Sequence, residues 1–222
     1  MRKTQLANNL HYHIFNRGVD KRDIFIDEKD YERFFLSLIL MNDEKDGLMI
    51  GWRNFKESHQ NTTVVDFLRL SLSERKKLVE IISFCLNANH YHFILEQVSD
   101  RGIEKFMHRI ATGYTRYFND KYHRSGSLFQ GSFKAYQIKS NSQLLRMSVY
   151  VNCNSEIHGV QSANKYKWCG FSEYLERQNN QLCNKKVIMS HFRDKNDFQN
   201  YAEENIRDFR EIKEEEKSMF FE

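Results

Sequence analysis

The sequence predicts an α+β fold: an antiparallel sheet with helices on one face, followed by a helical C-terminal extension. Three observations carry this expectation. Residues 11–17, 81–86 and 91–96 are short runs that alternate or are wholly apolar, as strands are. Residues 28–42 and 101–120 instead space their apolar side chains three and four apart, as a helix buried along one face does. The elements follow as strand, helix, an ambiguous stretch, strand pair, helix, strand, helix, with no repeat period and no low-complexity segment.

Residues 11–17 (HYHIFNR) alternate and end at Gly18, so they read as the first strand. The helix over 28–42 carries Tyr31, Phe34, Phe35, Leu38 and Ile39 on one stripe, and the Asp27 carboxylate is positioned to accept the free amides of its first turn. Residues 43–66 are ambiguous: LMIGWRNF reads as a strand, NTTVVDFL as a strand or the entry to a helix. Residues 71–80 (SLSERKKLVE) read as a short amphipathic helix capped by Ser71 or Ser73. IISFCL and YHFILE flank NANH and read as a hairpin. The 101–120 helix turns Ile103, Phe106, Met107, Ile110, Tyr114, Tyr117 and Phe118 inward. After the loop HRSGS, FQGSFKAYQI reads as a strand. Residues 141–153 read as a helix capped by Asn141, with Leu144, Leu145, Met147, Ser148 and Val151 inward. Residues 1–160 form the expected main domain. Residues 161–222 form the extension, with helices near 170–178 and 194–217 and with Trp168 and Phe171 docking at least one segment. The chain has no proline, so loop boundaries rest on Gly, Asn, Ser and pattern breaks.

Composition excludes several classes. No run approaches the roughly 18 apolar residues of a membrane span, so no membrane partner is expected. The N-terminus lacks an apolar leader. The four cysteines, Cys85, Cys153, Cys169 and Cys183, have no CxxC spacing, which argues against a zinc site or a disulfide framework and fits a reducing cytoplasm. The net charge of +4 is mild but uneven: residues 101–146 are rich in Arg, Lys and His, and 203–222 in Glu. A local basic field suits a nucleic-acid binder, although a solvated mixed surface has the same composition.

Two patterns carry chemistry. His90-Tyr91-His92 lies on a strand, so its two imidazoles share a face about 6.5–7 Å apart and can converge on one divalent cation. The same pattern also occurs as two exposed histidines on a half-buried strand. Tyr150 and Asn154, four apart on a helix, share a face. A phenol is a nucleophile towards phosphorus when a metal polarises the phosphate, and an amide carbonyl can complete a His-His-amide site. A core-edge tyrosine and a capping asparagine give the same spacing. Around them, Arg116, Tyr117, Asn119 and Arg124, followed by Gln130 and Lys134 in FQGSFK, interleave cations, aromatics and glycines; Arg17 closes the first strand. Cations neutralise phosphates and aromatic faces stack on unpaired bases, so these residues are expected to contact single-stranded or structured nucleic acid.

Taken in order, five blocks resemble the HUH-type single-tyrosine transposases, specifically the REP-associated branch: YHIFNRGVDKRDIF (12–25), DEKDYERF (27–34), NHYHFILE (89–96), YTRYFNDKYHRSGSLFQGSFKA (114–135) and LLRMSVYVNCN (144–154). The resemblance implies a ferredoxin-like sheet and metal-dependent cleavage and rejoining of single-stranded DNA, with short hairpins as the usual substrate class. It implies Tyr150 as the nucleophile, forming a 5′-phosphotyrosine link and leaving a free 3′-OH. His90 and His92 would hold Mg²⁺ or Mn²⁺ with Asn154 as third ligand, where the mobile relatives usually carry Gln. Both monomers and homodimers occur among the relatives. A hairpin DNA- or RNA-binding protein on the same fold, without turnover, is the alternative.

Overall fold

The computed structural model describes residues 5–177 and 182–219, with the side chains of 216–219 left out. Residues 1–4, 178–181 and 220–222, parts of the expected domain and extension, lie outside the described residues. A four-stranded antiparallel sheet is built from β1 (His11–Arg17), β2 (Val79–Asn87), β3 (His90–Gln97) and β4 (Lys134–Gln137), in the spatial order β2-β3-β1-β4. Helix α1 (Glu28–Leu40) lies between β1 and β2, and α4 (Gly102–Lys121) between β3 and β4. This βαββαβ order is the ferredoxin-like arrangement.

Alternation sorts the sheet's two faces. Tyr12 and Ile14 of β1, Phe84 of β2 and Tyr91, Phe93 and Leu95 of β3 point to one side, where they form a single cluster with Phe34 and Leu38 of α1 and Phe106, Ile110 and Tyr114 of α4. Each such side chain contributes roughly 1.5–3 kcal/mol of burial. The helix α1 starts as its residues dictate: the Asp27 carboxylate accepts from the Asp30 amide, and the Asp30 side chain reaches back to the Asp27 amide. Asp30 is itself fully buried. It accepts from Lys121 Nζ at 2.7 Å and from the hydroxyls of Tyr117 at 3.1 Å and Tyr122 at 2.8 Å. Desolvation pushes its pKa up, but Lys121, Tyr122 and the amides of Ile26 and Asp27 more than offset that and hold it below its usual value.

The opposite face is covered in part by α5 (Asn141–Asn152), the short α6 (Asn154–Ile157) and the chain beyond. Cys85, Ile94, Leu144, Val149 and Val151 share one core with Tyr166, Phe171, Tyr174 and Ile188, and with Phe198, Ala202 and Ile206 of the long C-terminal helix. Trp168 and Phe171 dock here as the sequence predicts; Phe171–Tyr174 is a helical turn, Lys186–Met189 another, and Lys195–Met219 the terminal helix. All four cysteines are free thiols. Among the described residues no helix is long and apolar enough to cross a membrane.

The structure differs from the sequence reading in four places. LMIGWRNF is not a strand but the start of α2 (Leu48–Ser58), with Leu48, Trp52 and Phe55 at helical spacing. NTTVVDFL, by contrast, takes the helical of its two readings and opens α3 (Val64–Ser71), where Thr63 and Asp66 form a capping box. Residues 72–78 are not helical. Arg75 is drawn away to the Ile39 carbonyl at 2.7 Å and the Asp43 carboxylate at 3.1 Å, and the Asn42 side chain pairs with the backbone of Leu78 and Val79, which holds the segment extended into β2. The cap of α5 is Ser140, whose hydroxyl accepts from the Gln143 amide at 3.2 Å, rather than Asn141. The strand predicted over FQGSFKAYQI is confined to Lys134–Gln137.

Glu173 is buried in the second core, accepts from the amides of Leu182 and Cys183, and keeps Oε1 without a partner. Burial pushes its pKa up to about 7, only partly offset by those amides. The folded value lies above the carboxyl's ordinary 4.5, so the folded state binds the proton more tightly. Its stabilising contribution is complete below that ordinary value and is lost as pH rises through about 7. Glu173→Gln is therefore expected to raise the melting temperature at about pH 8.5 by more than at about pH 5. A difference that does not change with pH would contradict this assignment.

Candidate active site

The half-open sheet face collects the polar residues of the strands. His90 and His92 of β3 point to it together, with ring centroids 5.1 Å apart and planes at 88°. Register fixes their neighbours. Asn87 of β2 and Arg17 of β1 flank His90, and Cys85 and Phe15 flank His92. Gly18 ends β1 where a Cβ would lie 2.3 Å from the Arg22 carbonyl, so only glycine permits the tight turn after Arg17.

Helix α5 crosses β2 and β3 and brings Tyr150 over this cluster. Its ring lies edge-on 5.8 Å from His92 and 6.1 Å from His13, and 5.2 Å from Phe209 of the C-terminal helix. The helix breaks at Cys153, and Asn154 opens α6 fully buried. Its Oδ1 accepts from Asn87 Nδ2 at 2.9 Å, and its Nδ2 is buried without a partner.

The imidazoles are held neutral. Burial pushes His90 down to about 4; the Asn154 amide opposes this and the charges of His158 and Arg17 add to it. Burial likewise lowers His13 to about 4, and lowers His92 well below its ordinary value, with His13, His90 and His158 adding to the effect. Hydrogen bonds then fix the proton on His90. Nδ1 faces the Asn89 Oδ1, which only accepts, at 2.6 Å, and Nε2 faces the Asn87 Nδ2, which only donates, at 3.1 Å. His90 therefore carries its proton on Nδ1 and presents a lone pair at Nε2. His92 Nδ1 shares a proton with His13 Nε2 across 2.9 Å.

Of the residues singled out in the sequence, Tyr150, His90, His92, Asn154 and Arg17 converge here. Arg17 keeps its Nε buried without a partner. Lys134 is exposed on β4 with Nζ 5.7 Å from the Phe15 ring, and exposed Gln130 donates its amide to the Arg17 carbonyl at 2.8 Å. The rest lie elsewhere. Arg116 is on the outer surface of α4, across helix and sheet from the histidines, beside Asp120. Tyr117 is tied to Asp30. Asn119 and Arg124 bond each other and the carbonyls of Gly126 and Ser127, bracing the loop after α4. Sequence reasoning missed His13 and Asn87. The signal for His13 was present: His11-Tyr12-His13 repeats the His-x-His alternation of β3 on the neighbouring strand.

In fold, the chain is a ferredoxin-like sheet protein similar to a solved REP-associated tyrosine transposase bound to a REP hairpin; the match has a TM-score of 0.55 and 12% identity, and covers 80% of this chain and 86% of that one. The profile of the family described as "Transposase IS200 like" matches residues 7–154, well over half of the chain, and the chain belongs to that family. A search of curated proteins finds no match.

The tautomer is directly observable. In ¹⁵N spectra near neutral pH, His90 is expected as the Nδ1–H form, and Asn89→Ala, which removes the acceptor, is expected to shift it towards Nε2–H. A wild-type His90 protonated on Nε2 would contradict the hydrogen bonding described.

Proposed function

We propose that this transposase cleaves and rejoins single-stranded DNA through Tyr150, at a site held next to a hairpin. The observation that carries the reading is Tyr150 placed edge-on over His92, 5.8 Å between ring centroids, on a sheet face where the imidazoles are neutral. Neutral imidazoles offer lone pairs to a cation, which protonated ones do not.

The residues fit a divalent cation. His90 Nε2 carries a lone pair, which accepts from Asn87 Nδ2 where no cation is bound, His92 is its neighbour on the same face, and the buried Asn154 amide has one end unpartnered. Among the described residues no group of three or more His, Cys, Asp or Glu is placed to hold a metal ion, so a cation here would be held by two imidazoles and an amide. His90, His92 and Asn154 would hold Mg²⁺ or Mn²⁺, which when bound polarises the scissile phosphate and neutralises developing charge. For His92 to present Nε2, its Nδ1 proton must be donated to His13, which makes His13 a positioning residue.

Tyr150 Oη forms the bond to phosphorus as the bond to the 3′-oxygen breaks. The phenol's proton leaves to solvent and the 3′-oxygen takes one up, which yields a 5′-phosphotyrosine and a free 3′-OH. The phosphotyrosine conserves the bond energy, so rejoining needs no nucleotide cofactor. Arg17, beside His90 with an unpartnered Nε, would meet the strand's phosphates.

The test is a denaturing protein gel after incubation with labelled single-stranded hairpin DNA. A covalent band is expected with Mn²⁺, absent with EDTA, and lost in Tyr150→Phe while DNA binding persists. An adduct that survives in Tyr150→Phe would overturn the assignment of the nucleophile.

A further inference from the structure

The half of the polar sheet face nearest β4 is not covered by α5. On it, Phe15 and Tyr136 stack with ring centroids 5.9 Å apart and planes within 12°. Tyr136 is 60% exposed, among the most exposed large aromatic or aliphatic side chains described. Phe15 also stacks on His92 at 5.5 Å and on His13 at 5.0 Å, so the rings run without a break from the open edge to the proposed catalytic histidines. A tyrosine that only stabilised the sheet would gain more by being covered, and an exposed aromatic on the edge strand, stacked on a half-buried ring of its neighbour, is a liability unless something covers it.

Charge indicates what stacks. Lys134 lies beside Phe15 on this surface, and Arg17 follows two residues along β1. The nearest carboxylate on the face, Glu96, is at the far end, within 3.8 Å of His11. A flat aromatic surface with cations at one end and the acid at the other fits a base whose phosphate lies towards Arg17 and Lys134. Consecutive residues on one face of a strand stand about 6.5–7 Å apart along the backbone, so Phe15 is one such step from His13 and one from Arg17.

We propose that Phe15 and Tyr136 form a base-stacking platform for an unpaired nucleotide of the DNA strand next to the scissile phosphate, and that Lys134 contacts its phosphate. The platform rests on the reading of the site as a single-strand DNA transposase. It adds where the strand lies: across β1 towards β4, rather than along α4, where Arg116 stands. Stacking tolerates any base, so the platform sets the strand's position and leaves sequence choice to other contacts.

The experiment uses the full chain, EDTA to prevent turnover, and hairpin DNA whose single-stranded arms carry 2-aminopurine at one position at a time. Wild type is expected to quench 2-aminopurine at one or two arm positions. Tyr136→Ala is expected to relieve that quenching and weaken binding roughly 5- to 100-fold, with the salt dependence of affinity unchanged. Tyr136→Trp is expected to restore both. Lys134→Ala is expected to lower the salt slope by about one. Tyr136 is exposed, so Tyr136→Ala folds, and a thermal melt verifies this. If wild type binds DNA but Tyr136→Ala binds and quenches equally, the platform is wrong and the transposase reading stands. If Tyr136→Phe loses as much as Tyr136→Ala, the hydroxyl rather than stacking is at work, which also overturns the proposal. If wild type neither binds these DNAs nor forms the covalent adduct with Mn²⁺, the functional reading fails and the platform with it.

Discussion

The pairing of β3 between β1 and β2 is the constraint on which the site depends. Side chains alternate along a strand, so a one-residue slip in either ladder would exchange every residue between the apolar face and the polar face. The register that puts Tyr91 and Phe93 against α1 and α4 also puts His90 beside Asn87 and Arg17, and His92 beside Phe15. The apolar core thereby pins the polar cluster. Burying Phe34, Phe93 and Phe106 is worth several kcal/mol, far more than any hydrogen bond on the other face, so the histidines are held in place by packing they do not share.

The second core divides the polar face. Where α5 and the C-terminal segments cover β2 and part of β3, water is excluded, the imidazoles lose their charge and the Asn154 amide is left partly unsatisfied. Where β1 meets β4, aromatic rings and cations remain accessible. His90 and His92 stand at the boundary between the two halves, dry enough to stay neutral and close enough to the open side for a strand to reach. Phe209 against Tyr150 extends this boundary to the C-terminal helix, with Arg146 over the Phe209 ring at 4.7 Å.

Much of this was legible in the sequence. Alternation gave β1, two apolar runs flanking NANH gave β2 and β3, helical spacing gave α1 and α4, and Asp27 marked the start of α1. His90, His92, Tyr150 and Asn154 could be named because each combines a reactive side chain with a spacing that sets its face. Residues 43–78 were opaque because their order comes from distant partners: Arg75 and Asn42 hold the approach to β2, and no local pattern announces either. Arg116 and Tyr117, which lie away from the histidines, show the converse. Basic and aromatic side chains on an amphipathic helix look the same whether they meet DNA, solvent or a buried carboxylate, and here Tyr117 meets Asp30. His13 was overlooked although its alternation was visible, because its meaning lies in a cross-strand partner 79 positions away.

The histidine pair beneath Tyr150 is the proposed site of a divalent cation. Titrating Mn²⁺ into the ¹⁵N-labelled protein tests it most directly, because the paramagnetic ion broadens only nearby resonances. Substoichiometric Mn²⁺ is expected to broaden the imidazoles of His90 and His92 and the side-chain amide of Asn154 before any others. Broadening centred on the acidic stretch beyond residue 203, with those three signals still sharp, would contradict it.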